Sequence, residues 1–127
     1  MKTWIVDIFE ENLNSILNSS KEVEGRVPDL RKPEKHYHLI QPKDIISFRV
    51  VDKNTQPIKS IELISFEVSY NRKYNSVKEY LKSEGLKRAL PKAKSIEEGI
   101  AIYHSLPGYM QRIAQVGIHG IGLGKKI

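Results

Sequence analysis

Cysteine is absent from this sequence of 127 residues, and that absence excludes several classes of protein. Without thiols the chain has no disulfide scaffold, thiolate zinc site, iron–sulfur cluster or cysteine nucleophile. Long apolar runs are also missing, whereas a membrane span needs about 18 or more apolar residues. Near the start, Asp7, Glu10 and Glu11 interrupt the apolar residues before they could form a signal peptide. We therefore expect a protein with no membrane partner, located in the cytoplasm or elsewhere inside the cell.

Acidic residues are outnumbered, with 15 Asp and Glu against 21 Lys and Arg, so the net charge is +6. The length and the 39% of hydrophobic residues predict one globular domain over residues 1–127. The positive charge is local, because the segment from Arg72 to Lys94, called the basic segment below, contains eight basic and two acidic residues. Such an excess is typical of a surface that binds a polyanion, although a solvated helix face has the same composition.

Hydrophobic periodicity and turn signals predict an α+β fold. Alternation over residues 21–27 predicts a strand with Glu22, Glu24 and Arg26 on one face. Capping boxes that begin at Ser76 and Ser95 predict two helices. The other expected elements are a strand at 3–6, a helix at 8–18, an extended piece at 37–40 within a loop, a hairpin of strands 44–51 and 58–70, and a closing strand at 116–123.

Two patterns resemble ligand sites, a phosphate-binding loop and a metal site, but neither has the features that such a site requires. Glycines at 120, 122 and 124 precede Lys125, but only two residues follow, so the helix that a phosphate-binding loop requires cannot form. His36 and His38 share one face, yet no further ligand is near in sequence. We therefore expect no metal and no cofactor.

Two sets of side chains remain as candidates for function. Tyr74 interleaves with the basic residues and could stack on a base, whereas Tyr80 falls on the inner helix face and is assigned to the core. Lys21, Glu24 and Arg26 could share a partly dry cleft, in which a Lys and a Glu tune each other's pKa. The simpler interpretation, which we favour from the residues alone, is a surface ladder of ion pairs on an edge strand.

Taken together, these residues resemble the ASCH domain, and small archaeal and bacterial members are particularly similar. The resemblance spans nearly the whole chain. It involves Lys21–Arg26, Asp44–Phe48, Tyr74–Val77, Glu84–Leu86, Leu90–Pro91, Ser95–Ile100 with Tyr103, and Gly117–Ile118. It implies a PUA-like fold, a small mixed β-barrel flanked by about three helices, with a cleft that binds RNA or a nucleotide.

The resemblance also implies which residues contact the ligand. Lys21, Glu24 and Arg26 line the cleft, with Arg26 on a phosphate or base edge and Glu24 accepting from an amino group. The remaining ligand-binding or RNA-binding candidates are Tyr74, Ser76, Arg72, Lys73, Lys87, Arg88 and Lys92. The leading hypothesis is a module that binds RNA or a modified nucleotide. The sequence leaves the oligomeric state open.

Two other classes of function stay open at this point. Some ASCH proteins are acetylcytidine amidohydrolases that use a Lys, a Thr and a Glu. Here Lys21 matches the Lys, Glu24 stands where the Thr is expected, and the Glu falls near Lys92 to Lys94. In an amidohydrolase, Lys21 and Glu24 would be the catalytic residues. A protein-interaction module whose partner binds the basic segment is the third alternative.

Overall fold

The computed structural model describes residues 1–127 as a mixed five-stranded sheet with helices. The strands are β1 (Thr3–Phe9), β2 (Val23–Arg26), β3 (Ile45–Val51), β4 (Ile64–Tyr74) and β5 (Ile118–Lys126). The α-helices are α1 (Glu10–Leu17), α2 (Val77–Glu84), α3 (Leu86–Ala89), α4 (Ile96–His104) and α5 (Tyr109–Val116). Two short 3₁₀ helices, Pro33–Lys35 and Tyr37–Leu39, lie between β2 and β3.

The sheet has the strand order β1-β3-β4-β5-β2, and only the β1–β3 pair is parallel. Irregular register along β4, between Phe66 and Val68 and again before Tyr70, increases the local twist and curls the sheet. Its two edge strands are linked by one side chain, because Nη2 of Arg26 on β2 donates a 2.7 Å hydrogen bond to the Asp7 carbonyl of β1. The prediction of an α+β fold with a small, barrel-like mixed sheet is confirmed.

Apolar side chains form two separate cores. One packs the inside of the curled sheet against α1 and includes Trp4 and Phe48. The other packs β2 and β5 against the later helices and includes Tyr80 and Ile118. Tyr80 is fully buried, which confirms its assignment to the core.

In both predicted capping boxes the serine caps its helix. The Ser76 side chain accepts a 3.1 Å hydrogen bond from the Glu79 backbone at the start of α2, and Ser95 does the same for Glu98 at the start of α4. Each bond satisfies a backbone N–H that has no partner within its own helix. These caps fix where α2 and α4 begin.

Several predicted boundaries were wrong. The sequence signals missed α5, because its N-cap is Gly108 and no side chain caps it; the closing strand therefore begins at Ile118, after α5, and not at residue 116. Residues 37–39 form a 3₁₀ turn and not an extended piece. The first strand extends to Phe9, and β4 covers residues 64–74 in place of 58–70. With α3 and α5 included, the structure has five α-helices where about three were expected.

Gly117 is required where α5 joins β5. Its φ is 76°, which glycine adopts without strain, and a Cβ there would lie 2.6 Å from the Tyr74 carbonyl oxygen. None of the helices is long and apolar enough to cross a membrane.

Candidate functional site

Lys21, Glu24 and Arg26, called the Glu24 cluster below, do come together. Oε2 of Glu24 accepts from Nε of Arg26 at 2.7 Å and lies 2.5 Å from Nη2. Its Oε1 lies 3.4 Å from Nζ of Lys21, which also donates to the Ala89 carbonyl. Both carboxylate oxygens of Glu24 therefore have cationic partners from within the chain.

The interpretation of these residues as a surface ladder was wrong. The strand is at the edge of the sheet as expected, but Lys21 and Glu24 are only 5% and 6% exposed, because the curl of the sheet and α3 cover them. Burial lowers the pKa of Lys21, although the Glu24 carboxylate acts in the opposite direction. Burial opposes ionisation of Glu24, but Arg26 and Lys21 outweigh it and hold the pKa of that carboxyl below its usual range.

Arg26 is the most exposed member of this cluster, with 15% of its side chain accessible against 5% for Lys21. Together with Glu22, Leu123 and Lys126, Lys21 lines a surface cavity of about 320 Å³ that neither Glu24 nor Arg26 reaches. The predicted cleft residues therefore differ in exposure, and Glu24 is held inside the sheet by its own cations.

A second buried carboxylate, which the sequence did not reveal as a site, belongs to Glu84 at the end of α2. Its Oε1 accepts a 2.6 Å hydrogen bond from the Tyr70 hydroxyl, and its Oε2 accepts from the Tyr74 hydroxyl. Two guanidinium groups complete the set. Arg72 Nη1 lies 3.6 Å from Oε2 of Glu84, and Arg88 Nη1 lies 3.9 Å from Oε1. These five residues are called the Glu84 cluster below.

The Glu84 cluster orients one arginine for contact from outside. The Arg72 guanidinium lies 3.9 Å from the centroid of the Tyr70 ring, and 56% of the Arg72 side chain is exposed. A guanidinium stacked on a tyrosine ring presents its other flat face to solvent, where a nucleobase can stack. Tyr74, the tyrosine favoured from the sequence, is half-buried and its hydroxyl is also within 3.2 Å of the Ser83 Oγ.

The other predicted basic residues have different surroundings. Lys73 and Lys87 are exposed and have no carboxylate within 4 Å. Arg88 donates to Glu22 at 2.6 Å, and Lys92 contacts Glu11 at 3.4 Å. Ser76, predicted to contact the ligand, caps α2 through its side chain.

The two clusters are adjacent because the start of β2 lies against α3. The Glu22 backbone N–H donates to the Arg88 carbonyl at 2.8 Å, and the Lys21 ammonium donates to the carbonyl of the next residue, Ala89. The motif at residues 21–26 and the basic segment, far apart in sequence, thus form one continuous region. No group of three or more His, Cys, Asp or Glu side chains is arranged to hold a metal ion.

Comparison with known proteins finds no matching family model and no matching curated protein. Solved structures do match, among them the following two. The crystal structure of hypothetical protein PH0355 is 30% identical, with a TM-score of 0.76 over 98% of this chain and 99% of that one. The solution NMR structure of protein PF0455 from Pyrococcus furiosus is 31% identical, with a TM-score of 0.68 over 95% of this chain and 94% of that one. The chain belongs to the same family as these two proteins.

Proposed function

We propose that this protein binds RNA through a basic face formed by the end of β4 together with α2 and α3. The observation on which the proposal rests is the Arg72 guanidinium, which lies over the Tyr70 ring beside the buried Glu84 carboxylate while 56% of the Arg72 side chain is exposed. Stacking of a base on such a surface is tolerant of sequence and typically contributes about 1–3 kcal/mol per base.

The charge around Arg72 supports a polyanionic ligand. The basic segment has exposed lysines with no carboxylate within 4 Å at Lys78, Lys82, Lys87 and Lys94. Lys73 also has none, but it follows Arg72 directly on β4 and so lies on the opposite face of the sheet. Cations without internal partners are free to neutralise phosphates and to release condensed counterions. The resemblance to the ASCH domain favours RNA as the polyanion. In this proposal the Glu24 cluster holds β2 against α3 and so supports the basic face.

The test is a fluorescence anisotropy titration of short single-stranded and duplex RNA over a series of salt concentrations. Arg72→Ala is compared with Lys53→Ala, which removes the same charge from the exposed β3–β4 turn. We expect Arg72→Ala to weaken binding to single-stranded RNA by roughly 5- to 100-fold, since one stacking contact is lost. Lys53→Ala leaves the affinity nearly unchanged.

A second variant separates phosphate contact from stacking. Lys87→Ala reduces the slope of log affinity against log salt by about one, and weakens all RNA sequences to a similar degree. Affinity of the wild type that does not change with salt contradicts the proposal. So does equal loss of affinity in Arg72→Ala and Lys53→Ala.

One observation favours a second candidate function, hydrolysis of an acylated nucleoside such as acetylcytidine. Burial lowers the pKa of Lys21, and its ammonium lies 3.4 Å from Glu24. Once the Lys21 ammonium has released its proton, which the lowered pKa favours, its amine can accept a proton from water as the water attacks the acetyl carbonyl. The amide C–N bond then breaks as its nitrogen receives that proton. The products are acetate and cytidine.

Release of acetate from N4-acetylcytidine tests this second function. Activity that is lost in Lys21→Ala and retained in Lys125→Ala, an exposed lysine on β5, supports it. Both variants are first compared with the wild type by circular dichroism, because Lys21 is buried. Absence of acetate release by the wild type excludes this substrate.

A further inference from the structure

A row of polar side chains crosses the sheet face opposite to the Glu84 cluster. Arg26 of β2 is directly opposite His119 of β5, and His119 is directly opposite Lys73 of β4. Side chains paired in this way point to the same face, and adjacent strands are about 4.8 Å apart. Arg26, His119 and Lys73 therefore form one row across three strands, and this row lies outside the proposed RNA-binding face.

Hydrogen bonds fix the orientation and the tautomer of His119. The Asn71 amide nitrogen donates to the Tyr37 and Ile40 carbonyl oxygens, each at 2.9 Å. The amide oxygen of Asn71 therefore points to His119 and lies 2.8 Å from its Nδ1. Since a carbonyl oxygen can only accept, Nδ1 carries the hydrogen, and Nε2 of the neutral ring is left as an acceptor.

That acceptor has no partner in the chain. Nε2 of His119 makes no hydrogen bond within the chain, although only 6% of the residue is exposed. The His38 ring lies 6.5 Å away, centroid to centroid. Burial lowers the pKa of His119 to about 4, and His38 and Lys73 act in the same direction. At neutral pH the ring therefore presents an uncharged acceptor.

The neighbours of Nε2 indicate the chemistry of its ligand. Lys73 is an exposed cation with no carboxylate within 4 Å, whereas Arg26 already donates to Glu24 and to the Asp7 carbonyl. An acceptor beside a free ammonium suits a molecule that has both a hydrogen-bond donor and a negative charge. A nucleotide has both, because its phosphate is anionic and its base and ribose offer N–H and O–H donors.

We propose that His119 Nε2 accepts a hydrogen bond from a nucleotide whose phosphate lies against Lys73. The inference rests on the proposed function, and adds a subsite that discriminates between nucleotides through their donors. The donor is either the exocyclic amino group of the base or the 2′-hydroxyl of ribose. Arg72 and Lys87 provide affinity for any RNA, whereas His119 makes a contact that depends on the nucleotide.

The experiment uses two amide replacements of the same residue. His119→Asn places an amide where Nδ1 stood, and so retains the bond to Asn71 but removes the acceptor. His119→Gln reaches the Nε2 position and restores an acceptor there. Both variants and the wild type are titrated with cytidine, deoxycytidine and uridine monophosphates, and ¹⁵N NMR reports the imidazole nitrogens. Matched unfolding curves show that the variants are folded.

We expect the free wild type to have its proton on Nδ1 and cytidine monophosphate to shift the Nε2 resonance. His119→Asn weakens binding by roughly 3- to 10-fold, as expected for one hydrogen bond, and His119→Gln restores most of the affinity. Weaker binding of the deoxynucleotide identifies the 2′-hydroxyl as the donor. Weaker binding of the uridine nucleotide identifies the amino group.

Three results overturn the inference: a proton on Nε2 in the free protein, equal affinity in His119→Asn and the wild type, or no nucleotide that shifts the His119 resonances. Failure of the proposed function is a different result. If RNA fails to bind but cytidine monophosphate shifts His119, the RNA-binding face is wrong and the subsite stands. If RNA binding depends on Arg72 but no nucleotide affects His119, the RNA-binding face stands and the subsite is wrong.

Discussion

The two buried glutamates differ in the exposure of the cations that surround them. Glu24 is paired with Lys21 and Arg26, whose side chains are 5% and 15% exposed. Glu84 is paired with Arg72 and Arg88, whose side chains are 56% and 46% exposed. A carboxylate surrounded by buried cations stabilises the fold and has no partner outside it. Here the partners of Glu24 link the two edge strands, through Arg26, and β2 with α3, through Lys21. A carboxylate below exposed arginines fixes groups that an external ligand can contact.

This difference determines what each cluster costs to form. Removing three charged groups from water, as in the Glu24 cluster, carries a large desolvation penalty that only close pairing offsets. The guanidinium groups around Glu84 retain part of their hydration, and two tyrosine hydroxyls satisfy the carboxylate oxygens. We therefore expect the stability of the protein to depend more on Glu24 and ligand binding to depend more on Glu84.

The largest effect is expected for Glu24→Gln. The substitution leaves Lys21 and Arg26 buried without a counter-charge, and loss of one partner from a buried ion pair typically costs about 3–5 kcal/mol. Urea denaturation measures the free energy of unfolding. Glu67→Gln, at an exposed position on β4, removes the same charge and should change stability by less than about 0.5 kcal/mol. Equal stability of the two variants contradicts the assignment of Glu24 as the internal link.

A smaller effect is expected for Glu84→Gln. A glutamine can still bond to both tyrosine hydroxyls, and Arg72 and Arg88 can be hydrated, so we expect a loss of about 1–3 kcal/mol. The variant should also bind single-stranded RNA more weakly, because Arg72 is no longer held over Tyr70, although the protein gains positive charge. Glu62→Gln, on an exposed loop, is the matched control. Tighter RNA binding by Glu84→Gln would mean that charge alone determines affinity.

His119 is intermediate between the two clusters. It is only 6% exposed and is paired with Arg26 across β2 and β5, yet its Nε2 has no hydrogen-bond partner in the chain. Its pKa is about 4 in the folded protein against an ordinary value of 6.5, so the unfolded chain takes up the proton first. The free energy of unfolding should therefore fall as the pH is lowered from about 6.5 toward 4, and be unaffected by this group above that range. Urea curves at about pH 7 and about pH 5 compare the wild type with His119→Gln, which should lose this part of the pH dependence. Identical pH dependence of the two proteins contradicts the expectation.

Much of this arrangement follows from local sequence, and some does not. The caps at Ser76 and Ser95 predicted where α2 and α4 begin, because a cap requires only neighbouring residues. Helix α5 has no such signal and was missed. The exposure of residues 21–26 was also misjudged, because alternation along a strand shows which residues share a face but not what covers that face.

The candidate sites divide in the same way. The excess of positive charge was evident from composition, but Glu84 resembled an ordinary helix acid. A signal was present, because Tyr70, Arg72 and Tyr74 alternate along β4 and so must share one face. The orientation of His119 depends on Asn71 and on loop carbonyls more than 30 residues away in sequence, which no local pattern reveals.

The smallest effect is expected for Tyr80→Phe, at a residue within electrostatic reach of both glutamates. The Tyr80 hydroxyl is buried with no hydrogen-bond partner. Its removal eliminates the cost of a desolvated donor, so we expect a stability equal to the wild type or higher by up to about 1 kcal/mol. Tyr74→Phe is the control, because that hydroxyl donates to Glu84 and its loss should destabilise the protein. If Tyr80→Phe is the more destabilising of the two, Tyr80 takes part in one of the clusters, and the two glutamates belong to a single coupled network.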